Sequence, residues 1–278
     1  MSLFNRKRLA IQLALGATAL LCGGVLAPSS ASAQERDEAW RFRASVYGYT
    51  PDFSGELVFP APADIEIDAA DLLENTDAMF MGAFEAQHGR IGVFTDFIYL
   101  DLGKSVADTP QLSIGGGMAL PPGVTADLSL DIKAQIWTLA GNYRVIDTPA
   151  TSIDVFAGAR MLNADAELAY AFSADFGPFS GTARQGSRTA SLENWDMIFG
   201  VKGRSSFGAE REWFAQYYAD VGAGESDLTW QAYLGAGRSF GRYDITVGWR
   251  RLEYQFASDS RISDLAFDGP VVGASVKW

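Results

Sequence analysis

From residue 40 to residue 278 the chain keeps returning to one pattern, with bulky apolar side chains on one parity and small or polar ones on the other. That two-residue period marks β-strands whose two faces meet different surroundings. Trp40, Phe42, Ala44 and Val46 alternate with Arg41, Arg43, Ser45 and Tyr47, and Phe80, Gly82, Phe84 and Ala86 with Met79, Met81, Ala83 and Glu85. Leu128, Leu130, Ile132, Ala134 and Ile136 oppose Ser129, Asp131, Lys133 and Gln135. The alternation recurs at Ile153–Arg160, Trp195–Lys202, Leu228–Gly235 and Tyr243–Arg250, and the chain ends on it, in "GASVKW". With less regular segments at 90–101 and 213–222, the count is ten strands. Each is long enough to cross a bilayer at a tilt.

Ten such strands can build a soluble sandwich or lipocalin-like barrel, or a barrel in a membrane. The connections favour the membrane. Residues 87–90, 146–151, 204–211 and 239–242 are short to moderate, whereas 51–76, 103–125, 173–188 and 257–266 are mostly long. Short periplasmic turns opposite long outer loops, with an even strand number, describe an outer-membrane barrel. The connection at 222–226 departs from this, being short where a long one is expected.

The second parity also favours a membrane barrel, because it mixes charges with glycine and aromatics. An enclosed lumen suits that mixture. There Arg41, Arg43, Glu85, Asp96, Asp131, Lys133, Asp154, Arg160, Asp196, Lys202, Asp220 and Arg250 are expected to pair across the interior. Trp40, Trp213 and Trp278 near one edge and Tyr99, Trp195, Trp230 and Tyr254 near the other read as two aromatic girdles at headgroup level.

The N-terminus fits export. Arg6, Lys7 and Arg8 precede an apolar stretch that runs to an Ala31-Ser32-Ala33 site, the pattern of a signal peptide over residues 1–33. Residues 34–278 are then one barrel domain. The only cysteine, Cys22, lies inside that leader, so the remainder has no thiol for a disulfide, a ligand or a nucleophile. A formal charge of −12 makes a nucleic-acid role improbable. Aromatics at 13% argue for a folded chain rather than a disordered acidic one.

Taken with the alternating last strand and its aromatic end at Trp278, these features resemble small Gram-negative outer-membrane β-barrel proteins of the broad OmpA/OmpW kind. The resemblance implies an all-β, closed antiparallel transmembrane barrel of about ten strands (eight or twelve remaining possible), with both termini periplasmic. It also implies a cell outer membrane location, lipid and lipopolysaccharide as surroundings, and the barrel-assembly machinery as a partner through the C-terminal strand.

Little in the chain points to catalysis. The single histidine, His88, sits in "QHGR", a tight turn, and no histidine-based machinery follows from it. Paired-carboxylate chemistry needs a separation that sequence cannot supply. No cofactor is expected. The acidic stretch "ADIEIDAADLLENTD" offers Asp64, Glu66 and Asp68 as weak Ca²⁺ or Mg²⁺ ligands, or else is a solvated acidic loop. "GGG" at 115–117 reads as a loop tip. Segments 126–145 and 152–172 are about twice the length a bilayer requires, predicting a hairpin that projects above the outer membrane. Two roles stay open: a structural or surface-interaction barrel acting through its outer loops, or a narrow pore for ions or small solutes. An outer-membrane enzyme comes a distant third.

Overall fold

In the computed structural model the described residues are 39–57, 63–67, 76–106, 124–175, 180–257 and 262–278. The leader, Asp68 and the glycines at 115–117 lie outside them. Alternation becomes strands throughout: β1 (Trp40–Tyr49), β2 (Asp52–Leu57), β3 (Ala63–Ile67), β4 (Thr76–His88), β5 (Ile91–Val106), β6 (Val124–Asp147), β7 (Thr151–Asp175), β8 (Ser180–Phe207), β9 (Trp213–Gly224), β10 (Leu228–Phe240), β11 (Tyr243–Gln255) and β12 (Ile262–Lys277). β1 and β4 to β12 form ten antiparallel staves in chain order, and β1 pairs with β12 to close the ring. Closure removes the edges that an open sheet would expose to lipid. The remaining two strands form a hairpin within what the sequence suggests is the first long loop. Beyond Pro51, β2 carries on along β12 where β1 leaves off, and β3 folds back onto it.

At one end, which we term the turn end, β1 begins, β12 finishes and the tight hairpins lie. Gly89 and Gly241 each open a two-residue turn with φ of 55° and 65°. A side chain disfavours that backbone region, and such turns match the strand twist. At the opposite, tall end, β6, β7 and β8 run to 24, 25 and 28 residues. The projecting hairpin is therefore joined by a third long strand. Residues 180–188, assigned to a loop on sequence grounds, belong to β8, where they pair with β7.

Towards the turn end the wall's outer face is apolar: Val93, Leu139, Phe199, Leu234, Ile245 and Val272 all point outward and are exposed. A continuous band of this kind is tolerated only against lipid. The protein is an integral outer-membrane β-barrel. Exposed Trp40, Trp213, Tyr243 and Trp278 ring the band at the turn end. On the tall side its limit is drawn by Trp137, Trp195 and Trp249. Their indole N–H groups donate to Thr95 (2.8 Å), Glu193 (3.3 Å) and Asp268 (2.6 Å), so the amphipathic ring has a polar neighbour where lipid gives way to water.

Above that line the wall inverts. On β6 the outward series passes from Tyr143, Leu139 and Trp137 to Lys133 and Asp131. On β8 it passes from Phe199, Met197 and Trp195 to Glu193, Ser191 and Thr189, and on β11 from Trp249 to Arg251 and Glu253. Inward positions change the opposite way and become Ile136, Leu252 and Tyr254. One strand thus crosses two solvents. In lipid its apolar parity faces out, and in water the same rule sends the apolar parity in.

Three sequence assignments are corrected by this inversion. Asp131 and Lys133 face outward above the membrane and not into the lumen, and Lys133 pairs with Asp101 at 3.4 Å. Ile136 points inward and is buried. Tyr254 is fully buried inside the barrel and is no girdle residue.

Candidate functional site

The interior is a stack of four layers, legible in the inward residues of single strands. From the turn end, β7 presents Asp154, Phe156, Arg160 and Leu162, and β6 in reverse presents Arg144, Ala140, Thr138 and Ile136. Charge, aromatic, charge and aliphatic layers follow one another. Because barrel strands tilt, each layer cuts obliquely across the ladder: Phe156 stands opposite Asn142 and Gly200, and Gly200 opposite Asp220.

The tall-end disc is an apolar plug. Tyr49, Met81, Ile98, Ile136, Leu162, Leu252, Tyr254, Phe256, Leu265 and Val271 pack as one cluster drawn from β1, β4, β5, β6, β7, β11 and β12 and the residue following β11. It has the character of a soluble protein's core.

Beneath it lies a layer of buried charges. Arg160, with no exposed surface, forks onto Asp220, which also accepts from the Tyr218 hydroxyl. Arg160 further donates to Thr138 and Thr229 at 3.3 and 3.4 Å. Arg250 reaches Asp96 at 3.2 Å and Gln231 at 2.9 Å, and the Tyr47 hydroxyl donates to the same carboxylate at 2.9 Å. Asp196 has no cation partner among the described residues. Its oxygens accept from Asn194 (2.7 Å) and from the backbone N–H and hydroxyl of Ser226 (3.0 and 2.7 Å). That triple acceptance draws the 225–227 connection down onto the barrel, which accounts for its shortness at an end where its neighbours are tall. Removing both charges from water is costly, and the bidentate Arg160–Asp220 pair is the geometry in which the cost is recovered, whereas Arg250 meets one oxygen of Asp96 and its Nε has no partner among the described residues.

The aromatic disc comes next, with Phe94 edge-on to Phe156 and Tyr218 stacked on Phe156 at 5.0 Å, beside Ala140 and Ile198.

The turn-end layer differs in being open. A cavity of about 270 Å³ lies within the barrel, reaching past Phe94 and Tyr218 to Asp96, Gln231 and Arg250, and a wider one of about 590 Å³ forms the mouth. Arg43, Glu85, Arg144, Ser152 and Arg204 line both, so the two are one vestibule. Arg144 holds Asp154 at 2.7 and 3.2 Å, Lys202 holds Glu85 at 3.0 Å, and Asp244 accepts from both Arg204 and Lys277 at 2.8 Å. Arg204, Asp244 and Lys277 were not singled out in the sequence. Each holds an inward position at a strand's turn end, where the parities of Arg250, Lys202 and Ser275 lead to Asp244, Arg204 and Lys277 respectively.

Several expected site residues are placed as follows. Arg43, Glu85, Asp96, Asp154, Arg160, Asp196, Lys202, Asp220 and Arg250 point inward, and Arg41 lies at the vestibule mouth. Trp40, Trp195, Trp213 and Trp278 are exposed on the outer wall, with Trp230 partly so, and Tyr99 there donates to Asp101 at 3.1 Å. Asp64 and Glu66 fall on β3, with side chains outside the described set. Among the described residues no group of three His, Cys, Asp or Glu side chains could hold a metal ion. His88 packs its ring against Trp40 at 5.0 Å on the outer wall.

No family model matches the sequence, and no curated protein is similar to it. Among solved structures the chain is similar to the outer membrane protease OmpT of Escherichia coli. The identity is 12% and the TM-score 0.47, over 87% of this chain and 98% of that one. It is also similar to the attachment invasion locus protein Ail of Yersinia pestis, at 10% identity and TM-score 0.32, over 87% and 99% of the chains. The toluene transporter TodX of Pseudomonas putida matches at 7% identity and TM-score 0.32, over 86% and 90%.

Proposed function

We propose that this protein is a sealed outer-membrane barrel that works through its tall end at the cell surface, as a structural or interaction module, and not as a pore. One observation carries this reading: the apolar plug, whose ten residues, from seven of the ten staves and the residue following β11, are each no more than 9% exposed. An ion approaching it would meet aliphatic and aromatic side chains with no hydration to offer, and in the charge layer below Arg160 is paired with Asp220 and Arg250 with Asp96. With no passage, the surface left for function is the wall above Trp137 and Trp195, where Asp131, Lys133, Glu193 and Arg251 face water. On this reading the turn end is periplasmic. Catalysis forms no part of it, since the inward carboxylates of the charge layer are spent on neighbouring donors.

The test is planar-bilayer recording of the refolded protein, with insertion verified by co-flotation with lipid. The expected result is no conductance steps at moderate voltage. Discrete openings, altered in size by Arg250→Gln, would replace this reading with that of a narrow channel.

A further inference from the structure

The turn-end vestibule carries more positive charge than its fold requires. In a chain of net charge −12, the open layer gathers seven arginine and lysine side chains, Arg43, Arg144, Lys202, Arg204 and Lys277 among them, around four carboxylates, Glu85, Asp147, Asp154 and Asp244. Glu85, Asp154 and Asp244 are already held by cations, Asp244 by two at once. Arg43 is left over. Its guanidinium has no hydrogen-bond or ion-pair partner among the described residues, although it is half-buried and lines both parts of the vestibule. Glu85 and Arg204 stand within electrostatic range of it, the first already held by Lys202 and the second a like charge.

A guanidinium with no bonded partner, in a vestibule walled by further cations, gains when an anion joins it. The guanidinium fork matches the oxygens of a phosphate-type group, and neighbouring cations strengthen the contact where water is restricted. We infer that the vestibule binds a small water-soluble solute carrying a phosphate-type dianion, with Arg43 as its principal ligand. Lys202 and Arg204, both on β8 and each anchored by its own carboxylate, stay in place as the solute's electrostatic surround. The entrance lies at the turn end, inside the ring of staves, so the solute arrives from water and not sideways from lipid.

Titration calorimetry with inorganic pyrophosphate tests this, using refolded protein in a neutral, phosphate-free detergent so that no lipid headgroup competes. Arg43→Gln breaks no hydrogen bond or ion pair among the described residues and is expected to leave folding intact, which heat-modifiable gel mobility checks. Arg251→Gln, an equal loss of charge on the outer wall of the tall end, is the control for diffuse electrostatics. The wild type and R251Q are expected to saturate alike, and R43Q to bind about tenfold more weakly or worse. In parallel, pyrophosphate should raise the urea midpoint of the wild type and not that of R43Q. The inference is overturned if the wild type shows no saturable binding, or if R43Q and R251Q weaken it equally.

Discussion

Two tyrosines in the plug separate what a buried hydroxyl contributes from what its ring contributes. Tyr49 and Tyr254 are 2% and 0% exposed, and both belong to the same apolar cluster. The Tyr49 hydroxyl donates to the Phe267 carbonyl at 2.9 Å, whereas the Tyr254 hydroxyl is buried with no partner. A satisfied buried hydroxyl stabilises by about 1 kcal/mol, while an unsatisfied one retains its desolvation cost. Tyr49→Phe should therefore lower stability by about 1 kcal/mol, and Tyr254→Phe should leave it unchanged or raise it by a similar amount. Urea titrations of the two refolded variants measure this directly. Equal losses in both would mean that the Tyr254 hydroxyl has found a partner, and that the plug is wetter than its geometry implies.

On the scale of the strand, β8 carries the clearest prediction, because its outward face meets lipid and then water. Phe199 is 60% exposed within the band, and Ser191, on the same parity above Trp195, faces solvent. Arginine at Phe199 should cost about 2–4 kcal/mol in a bilayer, and arginine at Ser191 less than about 0.5. Unfolding in liposomes reports both, and similar costs would move the membrane boundary away from Trp195. This same boundary explains what the sequence concealed. Alternation identifies strands and their number, so the ten staves were legible from segments such as Trp195–Lys202 and Tyr243–Arg250. Alternation cannot say which parity faces in, because lipid outside and water outside demand opposite answers. Ile136 and Tyr254 sit beyond the point of inversion, which is why alternation alone places them on the outer wall and Asp131 and Lys133 in the lumen. The upper part of β8, "SGTARQGSRTAS", was illegible for a different reason. Its residues are small and polar with no alternation, and they form strand through their ladder with β7. The vestibule was half legible: Arg43, Glu85, Asp154 and Lys202 declared themselves by parity, while their pairing depends on register across the ring.

At the scale of the whole molecule, everything rests on closure, since one seam decides whether the strands form a ring or an open sheet. That seam joins β1 to β12 from Arg43↔Lys277 to Tyr49↔Val271, and Trp278 extends it. The Phe42 N–H donates to the Trp278 carbonyl at 2.8 Å, and the Trp278 N–H returns the bond to Phe42 at 3.1 Å. The Trp278 ring also packs against Phe42 and Phe84, at 5.7 and 6.3 Å, bridging β12, β1 and β4 on the lipid face. Backbone bonds at this position survive any side-chain change, so the ring contacts alone are tested by substitution. Trp278→Ala should cost about 2–3 kcal/mol of stability, combining lost aromatic pairing with lost burial at headgroup depth, and Trp278→Phe less than half of that. Because the seam forms last in any route that builds hairpins in order, the loss should also appear as slower closure. The folded, heat-modifiable band of the alanine variant should accumulate more slowly in liposomes than that of the wild type. If both variants refold at the wild-type rate and melt together with it, closure is secured by the ladder alone, and the terminal aromatic serves only as one more member of the girdle.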